Sequence, residues 1–152
     1  MKVLVVPDKF KGTATAEEVG NAIASVFSRA HEIAIQPMAD GGEGTLGVFG
    51  GPNRKSTVLD PLSRPVEAAW RLEGKSAVIE MAQASGLTLV DGKEGNDPIN
   101  ASTFGTGQLI SKAIERGAES ILVGLGGSAT TDGGFGALEA LKPHDRLRPV
   151  EL

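Results

Sequence analysis

The glycines of this 152-residue chain gather at particular places: Gly41, Gly42 and Gly44; Gly105 and Gly107; and Gly124, Gly126, Gly127, Gly133, Gly134 and Gly136. Collagen and flexible linkers do not distribute glycine this way. Here the clusters mark discrete turns, and Gly or Gly-Asp clusters fall at the carboxyl ends of three expected strands, after Val6, Ile35 and Val123. Such a chain is constrained to alternate buried strands with helices.

The hydrophobic pattern agrees. Residues 2–6 form an unbroken aliphatic run closed by Pro7-Asp8, the signature of a strand buried on both faces in a parallel sheet. Thr15 with Glu18 forms a capping box, and Val19, Ile23, Val26 and Phe27 then recur at helical spacing to about Ala30. Ile33-Ala34-Ile35 is a second strand, and a short helix is expected from about Gly44 to Phe49. After Gly50-Gly51-Pro52 the pattern changes to a β meander over 56–59, 66–72 and 77–81, with a hairpin turn at Glu73-Gly74-Lys75. A loop over 91–100, a helix over 108–116 closed by Gly117, a buried strand over 120–125 and a helix over 135–141 complete the pattern. The expected fold is α/β: a Rossmann-like or flavodoxin-like parallel sheet with helices, formed by 1–52 and 98–142. A β-rich stretch, 53–97, is suited to a second, inserted domain, and 143–152 is a tail.

Composition excludes several chemistries. A net charge of −4 without clustered Lys or Arg does not suit a nucleic-acid or anionic-membrane partner. No apolar run reaches the length of a membrane span or a signal-peptide core, so a cytoplasmic location is expected. With no cysteine and only His31 and His144, thiolate catalysis, zinc-thiolate sites and histidine-based triads have few or no residues to use.

The rim at the carboxyl ends of an open α/β sheet is where ligands bind, and glycine loops leading into helices favour anions there. Three such loops together point to a phosphorylated ligand. Asp8, Asp40, Glu43 and Asp132 lie in or beside these loops, and Lys9 and Lys11 are the nearest cations. Phosphoryl transfer needs both kinds of group: carboxylates to hold Mg²⁺ or accept a hydroxyl proton, and cations to neutralise phosphate. A cap or solvated role competes for each acid; Asp132 and Glu43 both sit where they would serve a helix N-terminus. Two other motifs compete. Residues 69–76 fit a relaxed phosphate loop but read better as a hairpin, and 124–129 fit a loose dinucleotide fingerprint, which keeps a nicotinamide-dependent oxidoreductase as the alternative.

Taken together, Pro7-Asp8-Lys9-Phe10-Lys11-Gly12, Ala39-Asp40-Gly41-Gly42-Glu43-Gly44-Thr45, residues 79–87, Gly105-Thr106-Gly107-Gln108-Leu109-Ile110 and residues 126–134 resemble the bacterial-type glycerate kinase family. The resemblance runs from Val3 to about Leu141. It implies an enzyme using ATP and Mg²⁺ to phosphorylate D-glycerate, with the 2-hydroxyl favoured over the 3-hydroxyl, on two α/β domains; a homodimer is a further expectation. Members of that family are well over twice this length, so the chain looks like an amino-terminal portion lacking one wall of the cleft, inactive alone or even a non-catalytic remnant. Their position on the rim loops makes Asp8, Lys11, Asp40 and Asp132 the expected catalytic residues, with Asp40 and Asp132 as the candidate metal ligands. Substrate and phosphate contacts would come from Lys9, Gly12, Gly41, Gly42, Glu43, Gly44, Thr45, Gly105, Thr106, Gly107, Gly126, Gly127, Ser128, Thr130 and Thr131. Two departures stand out: Lys9 where many members have Ser, and Asn96-Asp97-Pro98 where many have Arg-Asn-Pro.

Overall fold

The computed structural model describes residues 1–10, 13–27 and 31–142. Strand β1 (Lys2–Val5) leads into helix α1 (Ala16–Val26) and strand β2 (Glu32–Ile35), which pairs parallel with β1, Leu4 opposite Ala34. The capping box forms as expected: the Glu18 amide donates to Thr15 Oγ1 at 3.1 Å, and the Thr15 amide donates to Glu18 Oε2 at 2.8 Å. Helix α2 (Thr45–Val48) follows the first glycine loop. The meander is β3 (Arg54–Leu59), β4 (Pro65–Glu73) and β5 (Ser76–Glu80), antiparallel throughout, with the tight turn at Gly74-Lys75 that rules out a phosphate loop there.

Helix α3 (Ala82–Ser85), a 3₁₀ turn (Leu87–Val90), helix α4 (Gly92–Gly95), helix α5 (Phe104–Glu115), strand β6 (Ser120–Gly124) and helix α6 (Phe135–Leu141) complete the described fold. β6 pairs parallel with β5, Glu80 opposite Gly124, so the sheet order is β3-β4-β5-β6. The stretches 53–97 and 98–142 therefore share one sheet. Its core lies between the sheet and α3 and α5, where Val58, Ala68, Trp70, Ala77, Ile79, Ala84, Leu109 and Ala113 are buried together. Trp70 is fully buried and its indole N–H donates to Ser56 Oγ at 3.1 Å, so the large ring carries no unpaired donor into the core.

Several expectations are corrected. β1 and β6 are not buried on both faces: Leu4 is 64% exposed and Leu122 46% exposed, so no described element covers those side chains. The sheets are mixed rather than wholly parallel. The loop expected over 91–100 contains α4. Gly105 and Gly107 mark no turn; they lie in the first half of α5, which starts four residues earlier than its apolar stripe suggests. Their role is close packing. A Cβ on Gly105 would stand 1.8 Å from the Leu59 carbonyl oxygen, and one on Gly107 2.4 Å from that of Ala137.

Candidate active site

Three chain segments meet at the carboxyl ends of β1, β2 and β6. Beyond β1, Asp8 and Lys9 turn toward the loop that follows β2. Lys9 Nζ lies 3.0 Å from Asp40 Oδ1 and 4.0 Å from Asp8 Oδ1, and the Lys9 amide donates to Asp8 Oδ1. The Asp40 carboxylate also accepts the Gly42 amide at 2.9 Å on the same Oδ1. The loop after β6 closes against this turn, with the Gly126 amide donating to the Gly41 carbonyl at 2.9 Å. Glycine is required at this crossing: Gly41 has φ +89°, and a Cβ on Gly126 would fall 2.4 Å from Gly42 Cα.

The electrostatics follow from these contacts. The Gly42 N–H and then the Lys9 ammonium hold the Asp40 carboxyl below its ordinary value, and Asp40 in turn raises Lys9. A carboxylate so stabilised is a poor proton acceptor near neutral pH but a good electrostatic partner for a cation. Among the described residues its bonds fall on Oδ1, and its side chain is 68% exposed. Beside it, Lys9, Thr13, Met38, Glu43, Gly44 and Val48 help line a cavity of about 440 Å³ that reaches the start of α1. Asp8 and Glu43 are exposed, and Thr45 is buried with its hydroxyl donating to the Gly42 carbonyl. Lys11 and Gly12 lie outside the described residues.

Asp132 has a different environment. Its Oδ2 accepts the Thr103 amide and hydroxyl, each at 2.8 Å, and the Gly136 amide at 3.1 Å, while Oδ1 accepts the Gly134 amide at 3.1 Å. Burial alone would raise its pKa, but these bonds outweigh that and hold it below the ordinary value. The Thr103 hydroxyl also accepts the Ala137 amide at 3.0 Å, so Asp132 and Thr103 together join the starts of α5 and α6. The remaining polar residues of that loop satisfy one another: Ser128 Oγ accepts the Thr130 amide at 2.9 Å, and the Thr131 hydroxyl donates to the Pro98 carbonyl at 2.7 Å. Thr106 is buried in α5 against the Ser85 hydroxyl at 2.7 Å.

The structure thus brings Asp8, Lys9 and the 40–45 loop to one place with Gly126, and gives Asp132 a set of partners of its own. Among the described residues there is no cluster of three or more acidic or imidazole side chains able to hold a metal. Mg²⁺ does not need one: it keeps several waters and binds through one or two carboxylates plus substrate phosphates, which the open oxygen of Asp40 suits. Sequence reasoning missed Glu80. Its carboxylate, 2% exposed, accepts the Leu46 amide at 3.1 Å directly behind the glycine loop. The signal was present, since Glu80 is an acid inside the apolar run Ala77-Val78-Ile79-Glu80-Met81.

The fold and rim define an α/β chain whose glycine loops, with one lysine and two acids, converge at strand carboxyl ends, an arrangement suited to anionic ligands. The glycerate kinase family model matches residues 3–145, and the chain belongs to that family. It is 44% identical over 151 residues to a glycerate 2-kinase of Escherichia coli K12, covering 93% of this chain, and 46% identical over 148 residues to a glycerate kinase of Halalkalibacterium halodurans, covering 91%. It spans 39% of the length of both relatives. A crystal structure of a Salmonella typhimurium LT2 protein provisionally assigned as glycerate kinase 2 superposes with a TM-score of 0.75 at 41% identity, over 93% of this chain and 40% of that one. Among the described residues, no helix is long and apolar enough to cross a membrane. The dinucleotide fingerprint over 124–129 does not open a helix; Ala129 instead donates to the Ser85 carbonyl, and α6 begins only at Phe135.

Proposed function

We propose that this chain carries part of the site of an ATP-dependent kinase that phosphorylates D-glycerate, at the 2-hydroxyl in preference to the 3-hydroxyl. The observation that carries the reading is the Lys9–Asp40 pair at the crossing of the glycine loops, in a chain 44% identical over 93% of its length to a glycerate 2-kinase. Asp40, held ionised, presents Oδ2 to a cation or a substrate hydroxyl. Lys9, with Lys11 beyond it in sequence, supplies positive charge for a carboxylate or a transferring phosphate. The 126–131 loop cradles phosphate through the amides that remain after those of Gly126, Ala129 and Thr130 are bonded to Gly41, Ser85 and Ser128, with Ser128 and Thr130 holding each other in place. The cavity beside Lys9 and Glu43 is assigned to glycerate.

Mg²⁺ bound with ATP would be held by Asp40 and would neutralise charge on the phosphates. Asp132 is assigned a supporting part: with its oxygens engaged by Thr103, Gly134 and Gly136, it fixes the approach of α5 and α6 beneath the phosphate loop. That the remainder of the reaction cleft lies outside this chain belongs to the same proposal, motivated by relatives more than twice as long; a cytoplasmic location and a homodimer are further parts of it that the length does not bear on.

The test is ³¹P NMR of the products formed from D-glycerate and MgATP. A 2-phosphoglycerate resonance appearing with ADP supports the reading, 3-phosphoglycerate corrects its position, and ATP unchanged in the presence of the chain, alone and joined to the remaining length typical of its relatives, removes it.

A further inference from the structure

Glu80 is a buried carboxylate with no ion pair among the described residues. Its side chain sits at the carboxyl end of β5, where Oε2 accepts the Leu46 amide at 3.1 Å and Oε1 accepts Gln83 Nε2 at 3.5 Å, and no described Lys or Arg forms an ion pair with it. Removing a carboxylate from water is costly unless hydrogen bonds replace the lost hydration, and an alternating apolar strand would place a Val or Leu here at no such cost. The position of the bond is informative. The loop from Gly41 to Leu46 is held from outside itself at both ends: by the Gly126 amide on the Gly41 carbonyl at 2.9 Å, and by Glu80 on the Leu46 amide. Asp40 and Gly42 sit at the first of these points, so the direction of the Asp40 carboxylate depends on both. The two points are also tied to each other, because Glu80 lies opposite Gly124 in the sheet and the Met81 amide donates to the Gly124 carbonyl at 2.9 Å.

We propose that Glu80 is a positioning residue: it anchors the glycine loop to the four-stranded sheet and thereby fixes Asp40 against the loop after β6. The consequence for turnover rests on the kinase reading above, whereas the anchoring does not. Glu80 touches no substrate in this assignment; it acts through the Leu46 amide.

Amide hydrogen exchange of the 152-residue chain tests the anchoring directly. In Glu80→Leu the Leu46 and Gly42 amides exchange at least about tenfold faster, while those of Val58, Trp70 and Leu109 keep their rates. Glu80→Gln, whose side-chain oxygen still accepts the Leu46 amide, restores slow exchange to within about threefold. Should Glu80→Leu not fold, Glu80→Asp, one methylene shorter, is scored on the same amides with the same expectation. In turnover of D-glycerate with MgATP, Glu80→Leu lowers kcat at least about tenfold with KM for ATP within about threefold, and Glu80→Gln recovers most of kcat. Loop amides as slow as in the wild type, a uniform rise that includes Val58 and Trp70, or a loosened loop with unchanged kcat each overturn the proposal. A wild type without turnover even when joined to the remaining length typical of its relatives removes the kinase reading alone, and the exchange rates then decide the role of Glu80.

Discussion

Two Asp-Gly-Gly tripeptides, 40–42 and 132–134, begin alike and end in different work. In each, the carboxylate accepts the amide two residues on, Gly42 at 2.9 Å and Gly134 at 3.1 Å, and a glycine of the turn takes positive φ, Gly41 at +89° and Gly133 at +61°. Each leads within a few residues into a helix. The difference lies in the second oxygen. Asp132 Oδ2 accepts three further donors from α5 and α6, while the bonds of Asp40 to described residues gather on Oδ1, shared between Lys9 and Gly42, and its side chain stays 68% exposed. The turn fixes only the first bond; what arrives from elsewhere in the fold decides whether the acid supports the structure or stays available to a ligand.

The largest effect that would break this contrast is at Asp132. Asp132→Ala leaves the Thr103, Gly134 and Gly136 amides without their acceptor, and such part-buried donors cost about 1–3 kcal/mol each when only partly rehydrated. We expect a loss of about 3 kcal/mol in all, or roughly 10 °C in Tm for a chain of this size, measured by thermal unfolding. The same carboxyl sets an acid limb. Its folded pKa lies below the ordinary 3.8, so its contribution is complete above that value and disappears as pH falls through the folded pKa. Asp132→Asn should therefore flatten the stability profile below about pH 4. A profile equally steep in the variant would assign that limb to other carboxylates.

At Asp40 the expected order is reversed: little stability and much activity. Asp40→Asn keeps an acceptor for the Gly42 amide and should shift unfolding by less than about 1 kcal/mol, while kcat/KM for D-glycerate falls at least about tenfold, equivalent to about 1.4 kcal/mol. Equal losses at both aspartates, on both measures, would erase the distinction between them.

What the sequence made legible was local. The capping box at Thr15 and Glu18, the Gly74 hairpin, Gly117 after α5 and the helix from Phe135 all depend on neighbours within a few residues, and each formed where its pattern predicts. The convergence of Asp8, Lys9 and Asp40 was also legible, because strand carboxyl ends share one rim in this class of fold. Features set by distant partners were not. Gly105 is explained by the Leu59 carbonyl, 46 residues away in sequence, and Asp132 by Thr103, 29 residues away. The exposure of Leu4 reflects what packs on that face of β1, a property that an apolar run does not encode. Glu80 carried a visible anomaly, an acid among buried aliphatics, yet its partner Leu46 lies 34 residues back.

The smallest expected effect probes the Lys9–Asp40 pair itself. Its N–O distance is 3.0 Å, but the Asp40 side chain is 68% exposed, so solvent screens the attraction and the Asp40 carboxylate keeps much of its hydration. A double-mutant cycle of Lys9→Met, Asp40→Asn and the pair should give a coupling in stability below about 1 kcal/mol, shrinking as salt is raised from 0.05 to about 0.5 M. In binding of ATP or inorganic phosphate the same cycle should show a different pattern. If Lys9 leaves Asp40 to meet an incoming anion, Lys9→Met weakens binding, while Asp40→Asn releases the ammonium and strengthens binding of an anion free of Mg²⁺. Weaker phosphate binding in Asp40→Asn would mean that the carboxylate holds Lys9 in its binding position and does not compete for it. That outcome would make Asp40 a support like Asp132, differing from it only in how much water surrounds it.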